Sequence, residues 1–570
     1  MCEERRGAFV RSEHTLVEHN LDFELNDDQG ILDRSSTVFL VSLVVRLIVA
    51  AVFLGSVDTI NSLSFMPVAA SHGYFYLPYF PIVENILGSS ALLMNHLHFL
   101  PIGLFPKLLP CVADSLLSVW LLRYDRFDAT FRRRAAWIYA FCPLTIILVC
   151  LAGQWDSLWI LPMIAALALS IQSRNESSAR YRTCFIIGLL FGVSLLSKPV
   201  ALVVAGLLIP NVHSRSSLRS WFKELLAIAT GAILTVAAFF VMFASQGIDL
   251  RQNFDDVIGY GGAPGFIVFG PARLSFFNFL IHKQSNPISD FRTFAVFYVI
   301  GIVLYQVFSK TPLDTMTAAA SMLLIAPAIG GLAAQYLVWP LVFMIAAGRL
   351  RLAVAYSAAT SLLLLMYFLI PGSGIEPGEN IGVFLPLHSL RFLGVPTSAL
   401  HWAAITSFVH DVWLPILNLY VPVAMCALAL YLLTSKWRAT PTKEGLHLSP
   451  LELRATRVCV PYVALLIVTV VTYSLEPTHV KKALIGVVQT GFTHYALLRT
   501  IYLWSAWHKL IFWAVSTPYK DVQGGAWWGT IIVWGPILIL LWCYFALRGH
   551  VLFGARESRD VEQVSDRSTI

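Results

Sequence analysis

Apolar runs long enough to cross about 30 Å of hydrocarbon as helices recur from residue 36 to residue 547. Segments of this kind must satisfy their own backbone hydrogen bonds, so the expected fold is an all-α polytopic membrane protein with about 12–14 transmembrane helices. Composition agrees. The chain is 57% hydrophobic and 13% charged, where a soluble protein carries about a quarter charged residues. The net charge of +7 indicates no nucleic-acid partner, because the basic residues sit in short clusters between apolar runs. Such clusters are what the positive-inside bias expects of cytoplasmic loops. The eight cysteines lie mostly within apolar runs and form no CxxC pair, so neither a disulfide framework nor a zinc site is expected.

Charge also sets the orientation. Residues 1–35 hold nine Asp/Glu against four Lys/Arg and read as an acidic cytoplasmic tail, with no cleavable signal peptide. A first span, 36–56, is followed by residues 57–100 without a single Lys or Arg, and the second span, 101–122, runs into RYDRFDATFRRR. The amino terminus is therefore expected inside and 57–100 outside or lumenal, with an interfacial helix in this aromatic-rich first outer loop. Residues 135–152 rise and 157–172 descend, so their turn, GQWD, faces outward. Residues 183–212 form two apolar pieces of about 14 residues joined at SKP, each too short to span, which leaves Lys198 below the outer surface. A long span at 222–246 leads to the outer loop RQNFDDVIGYGGAPGFIVFGPARL, and 291–308 returns. The hairpin 313–347 turns near IGGLAAQYLVWP, placing Gln335 and Tyr336 outward. Further spans are expected near 352–370, 413–434, 458–475 and 527–547, while 476–526 stays ambiguous because it puts five Lys/Arg on the outer side. The division that follows is a tail at 1–35, a module at 36–350, additional helices and outer loops at 351–547, and a cytoplasmic tail at 548–570. No fixed-period repeat or two-half symmetry is visible.

Asp58, Asp156, Lys198, Asp255, Asp256, Gln335 and Tyr336 are all assigned outward by this topology. Asp58 and Lys198 each have two readings. Asp58, just after the first span, is a solvated helix-end residue or a carboxylate able to act as a general base. Lys198 is a point charge for an anionic headgroup, or a cation paired with a neighbouring acid or carbonyl. Lys107 and Asp114, seven apart, share one helix face and read best as snorkelling or interhelically paired residues that fix packing. Arg273 and Lys283 break the positive-inside trend and are candidates for phosphate contact. His96 and His98 point to different helix faces with no third ligand nearby, so no metal is read there. An outward polar cluster among Trp and Tyr suits sugar recognition, where rings stack and acids and amides bond hydroxyls.

Five pieces in order carry a resemblance: VD after the first span, PKLLPCVADSLL in the second, GQWDSLW after the third, LLSKP, and AQYLVWPLVF. Together, over residues 36–350, they resemble the GT-C class of integral-membrane glycosyltransferases, in its polyprenyl-phosphate-dependent mannosyl/hexosyltransferase branch. The resemblance implies a GT-C-like catalytic module and a polyprenyl-phosphate sugar donor entering from the outer leaflet. It implies transfer of a hexose, mannose foremost, to a glycan, lipid or protein acceptor, with Asp58 as general base. Lys198 and Arg273 would face the donor phosphate, and Gln154, Trp155, Asp156, Gln335 and Tyr336 would line the sugar or acceptor side. The family often shows a second acid beside the base, where this chain has Val57 and Thr59. No cofactor is expected; a divalent metal is compatible with the outward acids but not indicated by them.

Three alternatives stand beside this reading. A secondary transporter or lipid flippase would use the same acids as ion or proton sites, and an oligosaccharide ligase or polymerase would take a diphosphate-linked donor. A non-catalytic scaffold or accessory subunit would keep the fold alone. Membrane lipids are the surrounding partners in every case. A bacterial cytoplasmic membrane is favoured over the endoplasmic reticulum, because the one sequon, Asn175-Glu-Ser, falls in an expected cytoplasmic loop.

Overall fold

The structure, a computed structural model, describes residues 35–51, 102–172, 180–210, 218–245, 314–330, 334–369, 414–434, 457–475 and 526–548, with isolated positions at 86, 89, 90, 93, 300, 301 and 303. The described residues are helical apart from turns and short connections. In chain order they form α1 (Ser35–Ala51), a 3-10 turn (Ile102–Lys107), α2 (Leu108–Arg123) and α3 (Ala129–Ala140). A turn at Pro143–Thr145 and a π-helical segment (Ile146–Leu151) lead to α4 (Ser157–Gln172) and α5 (Arg180–Ser197). The short α6 (Ala201–Ala205) and then α7 (Leu218–Ser245) follow. After α8 (Thr315–Gly330), a 3-10 turn (Ala334–Val338) opens α9 (Trp339–Ala346), and α10 (Leu350–Leu369), α11 (Leu414–Thr434), α12 (Cys459–Leu475) and α13 (Ala526–Arg548) complete the series.

Among the described residues, three helical stretches are long and apolar enough to cross a membrane: Leu104–Arg123, Ala129–Leu151 and Leu218–Met242. Nine shorter apolar helices accompany them among the described residues. The chain is a multi-pass helical membrane protein. The helices expected at 157–172, 222–246, 352–370, 413–434, 458–475 and 527–547 are present within a few residues of those bounds. Of the span expected at 291–308 only residues 300, 301 and 303 are described, all helical. The first outer loop, apart from four isolated helical positions, and the stretch at 476–525 lie outside the described residues. The SKP junction differs from expectation: α5 is an 18-residue helix and only α6 is short, at 5 residues. Arg180, Tyr181 and Arg182 extend α5 beyond its apolar run, whereas a 3-10 turn and Pro210 stop the segment after α6.

α4 is the centre of the bundle. Leu158, Trp159, Leu161, Met163, Ile164, Ala165, Ala166 and Leu167 are all fully buried, as befits a helix apolar on every side. Its interior Pro162 lacks the N–H that would bond the Leu158 carbonyl. Tyr462 of α12 donates its hydroxyl to that carbonyl at 2.8 Å, and Ser194 of α5 donates to the neighbouring Trp159 carbonyl at 2.8 Å. α7 is peripheral, with Leu218, Phe222, Ile233 and Val241 exposed on one side. It packs on α5 backbone to backbone, because a Cβ at Gly188 would overlap the Ile228 carbonyl and one at Gly231 would overlap the Phe185 carbonyl.

A buried ion pair fixes the first three helices. Arg46 of α1 donates through Nε to Asp114 Oδ2 at 2.7 Å, and its Nη2 lies 2.6 Å from the same oxygen. Tyr139 donates its hydroxyl to Asp114 Oδ1 at 2.7 Å. The guanidinium also donates to Ser42 Oγ (2.6 Å), Thr145 Oγ1 (3.1 Å) and the carbonyls of Ala140 (2.7 Å) and Tyr139 (3.3 Å). Those two carbonyls end α3, and Pro143 has no N–H to give the Tyr139 carbonyl. Asp114 is thus an interhelical partner, as expected. Lys107, fully buried, reaches the carbonyls of Ala50 and Leu151, each at 3.4 Å.

Candidate functional site

The candidate site forms where three helices are interrupted. In the first interruption the π-helical segment ends with Ala152 N–H on the Ile147 carbonyl (2.8 Å) and Gln154 N–H on the Leu148 carbonyl (2.9 Å). Gly153 then takes φ 72°, a left-handed conformation that glycine adopts without a Cβ clash. This reversal delivers Asp156 to the start of α4, where its carbonyl accepts from Ile160 N–H at 3.2 Å. In the second, α5 stops at Lys198 because Pro199 disfavours the helical conformation in the residue before it. In the third, the 3-10 turn Ala334–Val338 carries Gln335 and Tyr336 and hands over to α9 at Trp339.

One carboxylate oxygen joins all three. Asp156 Oδ1 accepts from Lys198 Nζ at 2.6 Å, from Trp339 Nε1 at 2.6 Å and from Trp159 Nε1 at 3.3 Å. Charge-assisted bonds of this kind are the strong ones, and three donors on one anion offset much of the cost of its burial. Asp156 is 1% exposed and its Oδ2 has no hydrogen-bond partner among the described residues. Lys198 is 25% exposed, the open member of the pair. Its ammonium lies 5.5 Å from the Tyr336 ring centre and 5.4 Å from that of Trp339, within cation–π range of both. The rings are ordered among themselves: Tyr336 and Trp339 sit 4.1 Å apart, and Trp159 meets Trp339 edge-on at 5.8 Å.

Of the residues singled out from sequence, Asp156, Lys198 and Tyr336 are brought into one cluster. Gln154, Trp155 and Gln335 are half-buried on the segments that carry it. Asp58 and Arg273 lie outside the described residues, as do Asp255, Asp256 and Lys283. One expectation changes, and for Lys198 one of its two readings is selected. Asp156 does not line an open surface; it is an internal anchor whose charge is turned onto Lys198 and two indoles. Lys198 is paired with that acid, and keeps two of its three N–H groups uncommitted among the described residues. Trp159 and Trp339 were missed. Their signal was the indole three residues after Asp156, within GQWDSLW, and the Trp-Pro that opens α9, within AQYLVWPLVF, to neither of which the sequence assigns a role.

Elsewhere, Cys111 and Cys150 bring their sulfurs to 4.0 Å, both buried. Among the described residues no three His, Cys, Asp or Glu side chains converge as a metal site would require. Comparison with protein-family models, with curated proteins and with solved structures gives no match for this chain. The fold and the site define a class: a multi-pass helical membrane protein with a lysine–aspartate–indole cluster built at three helix interruptions.

Proposed function

We propose that this chain is a membrane glycosyltransferase of the GT-C kind. It moves a hexose, mannose foremost, from a polyprenyl-phosphate donor to a glycan, lipid or protein acceptor on the outer or lumenal side. The observation that carries the reading is Lys198: a part-exposed ammonium with N–H groups uncommitted among the described residues, within cation–π range of two aromatic rings, at the end of an interrupted helix. A cation so placed stabilises the charge that develops on a departing phosphate far better than one in bulk water. Tyr336, half-buried, offers a face for a sugar ring, and Gln154 and Gln335 offer amides for its hydroxyls. In the transfer, the bond from the anomeric carbon to phosphate oxygen breaks and a bond to the acceptor oxygen forms. The acceptor proton passes to Asp58 as general base, and polyprenyl phosphate leaves. Arg273 is the second proposed phosphate contact.

The test is ligand-dependent thermal stabilisation of the protein in nanodiscs, with polyprenyl-phosphate mannose, polyprenyl-phosphate glucose, bare polyprenyl phosphate and nucleotide sugars. A ligand at 100 times its Kd stabilises the native state by about 2.7 kcal/mol. Stabilisation by a polyprenyl-phosphate sugar, lost in Lys198→Ala, is the expected result. The interrupted helices also fit a second reading, ion-coupled transport with Asp156 and Lys198 as the charged site. Stabilisation by none of the lipid-linked sugars would pass the assignment to that reading.

A further inference from the structure

Building on Lys198 as a phosphate contact, we infer that Asp156 is a positioning residue that competes with the ligand for the Lys198 ammonium, so that phosphate binding and release proceed by exchange of this cation between carboxylate and phosphate. Four features of the cluster carry this. The ammonium is the one partner of Asp156 with appreciable exposure, at 25%, and it sits on a flexible four-carbon stem. The two indole N–H groups stay on Asp156 Oδ1 when the lysine turns away, so the buried carboxylate is not stranded. The rings of Trp339 and Tyr336, centred 5.4 and 5.5 Å from the ammonium, are within cation–π range and favour keeping it near the cluster. Finally, Arg46 spends its guanidinium on six different acceptor groups, whereas Lys198 makes one hydrogen bond among the described residues and has donors to spare.

The exchange answers a problem that the proposed chemistry creates. A glycosyl phosphodiester carries one negative charge, but the phosphate monoester it leaves behind carries about −1.5 to −2 at neutral pH. A bare buried ammonium would hold that product more tightly than the donor. A carboxylate 2.6 Å from the ammonium lowers its attraction for both and re-forms the pair as product departs.

The experiment measures Kd for farnesyl phosphate in nanodiscs, for the parent protein and for Asp156→Asn, Trp159→Phe and Lys198→Met. Farnesol serves as the uncharged control, and phosphatidic acid and inorganic phosphate are run as separate arms. Asp156→Asn is expected to tighten farnesyl phosphate about tenfold, equivalent to 1.4 kcal/mol. Trp159→Phe removes an indole donor, leaves the acid more dependent on Lys198, and is expected to weaken binding about threefold. Lys198→Met is expected to abolish it. A purely structural role for Asp156 gives loss of binding in both site variants, never opposite signs. Unchanged or weaker binding in folded Asp156→Asn overturns the exchange while leaving the phosphate contact in place. Should Asp156→Asn not fold, unchanged or tighter binding in Trp159→Phe overturns it instead. Parental affinity in Lys198→Met overturns the phosphate contact itself and the exchange with it. The same ratios with inorganic phosphate support exchange with a free phosphate; confinement to farnesyl phosphate and phosphatidic acid supports exchange with a lipid headgroup.

Discussion

Two buried carboxylates among the described residues, Asp114 and Asp156, pair with cations, and the two pairs are built to opposite ends. At Arg46–Asp114 both partners are sealed, 0% and 1% exposed, and both carboxylate oxygens are bonded. At Lys198–Asp156 the acid is equally deep, but the cation is open, one carboxylate oxygen is unbonded and two ammonium N–H groups are uncommitted. The choice of cation matches. A planar guanidinium with five donors can close a helix end and an ion pair at once, while an ammonium on a flexible stem can change partners. Saturation suits a site that holds the fold, and unspent bonding capacity is what the proposed ligand contact requires.

The largest test of this contrast is Asp114→Ala. Removing one member of a sealed pair leaves an uncompensated buried charge, so a stability loss of about 3–5 kcal/mol is expected in unfolding from mixed micelles. A loss below about 1 kcal/mol would show that the sealed pair is not structural. Lys198→Met should behave differently, erasing the ligand-induced stabilisation of about 2.7 kcal/mol while the unliganded protein loses less than Asp114→Ala does. Equal losses in the two unliganded variants would erase the distinction between the pairs. Tyr462→Phe touches neither pair and is expected to cost about 1 kcal/mol, because the Leu158 carbonyl loses its donor beside Pro162. The smallest effect belongs to the double variant Arg46→Met with Asp114→Leu. Replacing a whole buried pair by apolar residues of similar size should leave stability within about 1 kcal/mol of the parent, although each single change is severe. A double variant as damaged as Asp114→Ala would mean that the α3 carbonyls, rather than the pair, are what Arg46 secures.

Much of this architecture was legible in the chain. Apolar run length gave the helices, since in lipid each segment must close its own hydrogen bonds. The interruptions at GQWD, SKP and QYLVWP were legible too, because Gly153, Pro199 and Pro340 punctuate otherwise continuous apolar patterns. What could not be read was which helices are neighbours. Asp114 finds Arg46 from 68 residues away and Asp156 finds Trp339 from 183, and no local periodicity encodes such pairings. The indoles were hidden for a chemical reason: Trp reads as apolar mass in a membrane segment, although its N–H is a donor that a buried acid can use. The π-helical turn left no trace either, since IILVCL has an ordinary helical composition.

The bond from Tyr462 to the Leu158 carbonyl has a consequence for biosynthesis. Its partners are 304 residues apart, so at about 5–20 residues per second α4 waits roughly 15–60 s for the hydroxyl that fills its proline gap. During that interval the central helix of the bundle carries an unsealed backbone break at its amino-terminal end, within two residues of Asp156. The stretch just after the loop that delivers the acid is thus completed only by a late helix. Its geometry is completed by a helix that follows the whole 36–350 segment, and a chain halted after α10 would hold every described member of the cluster without the hydroxyl that closes it.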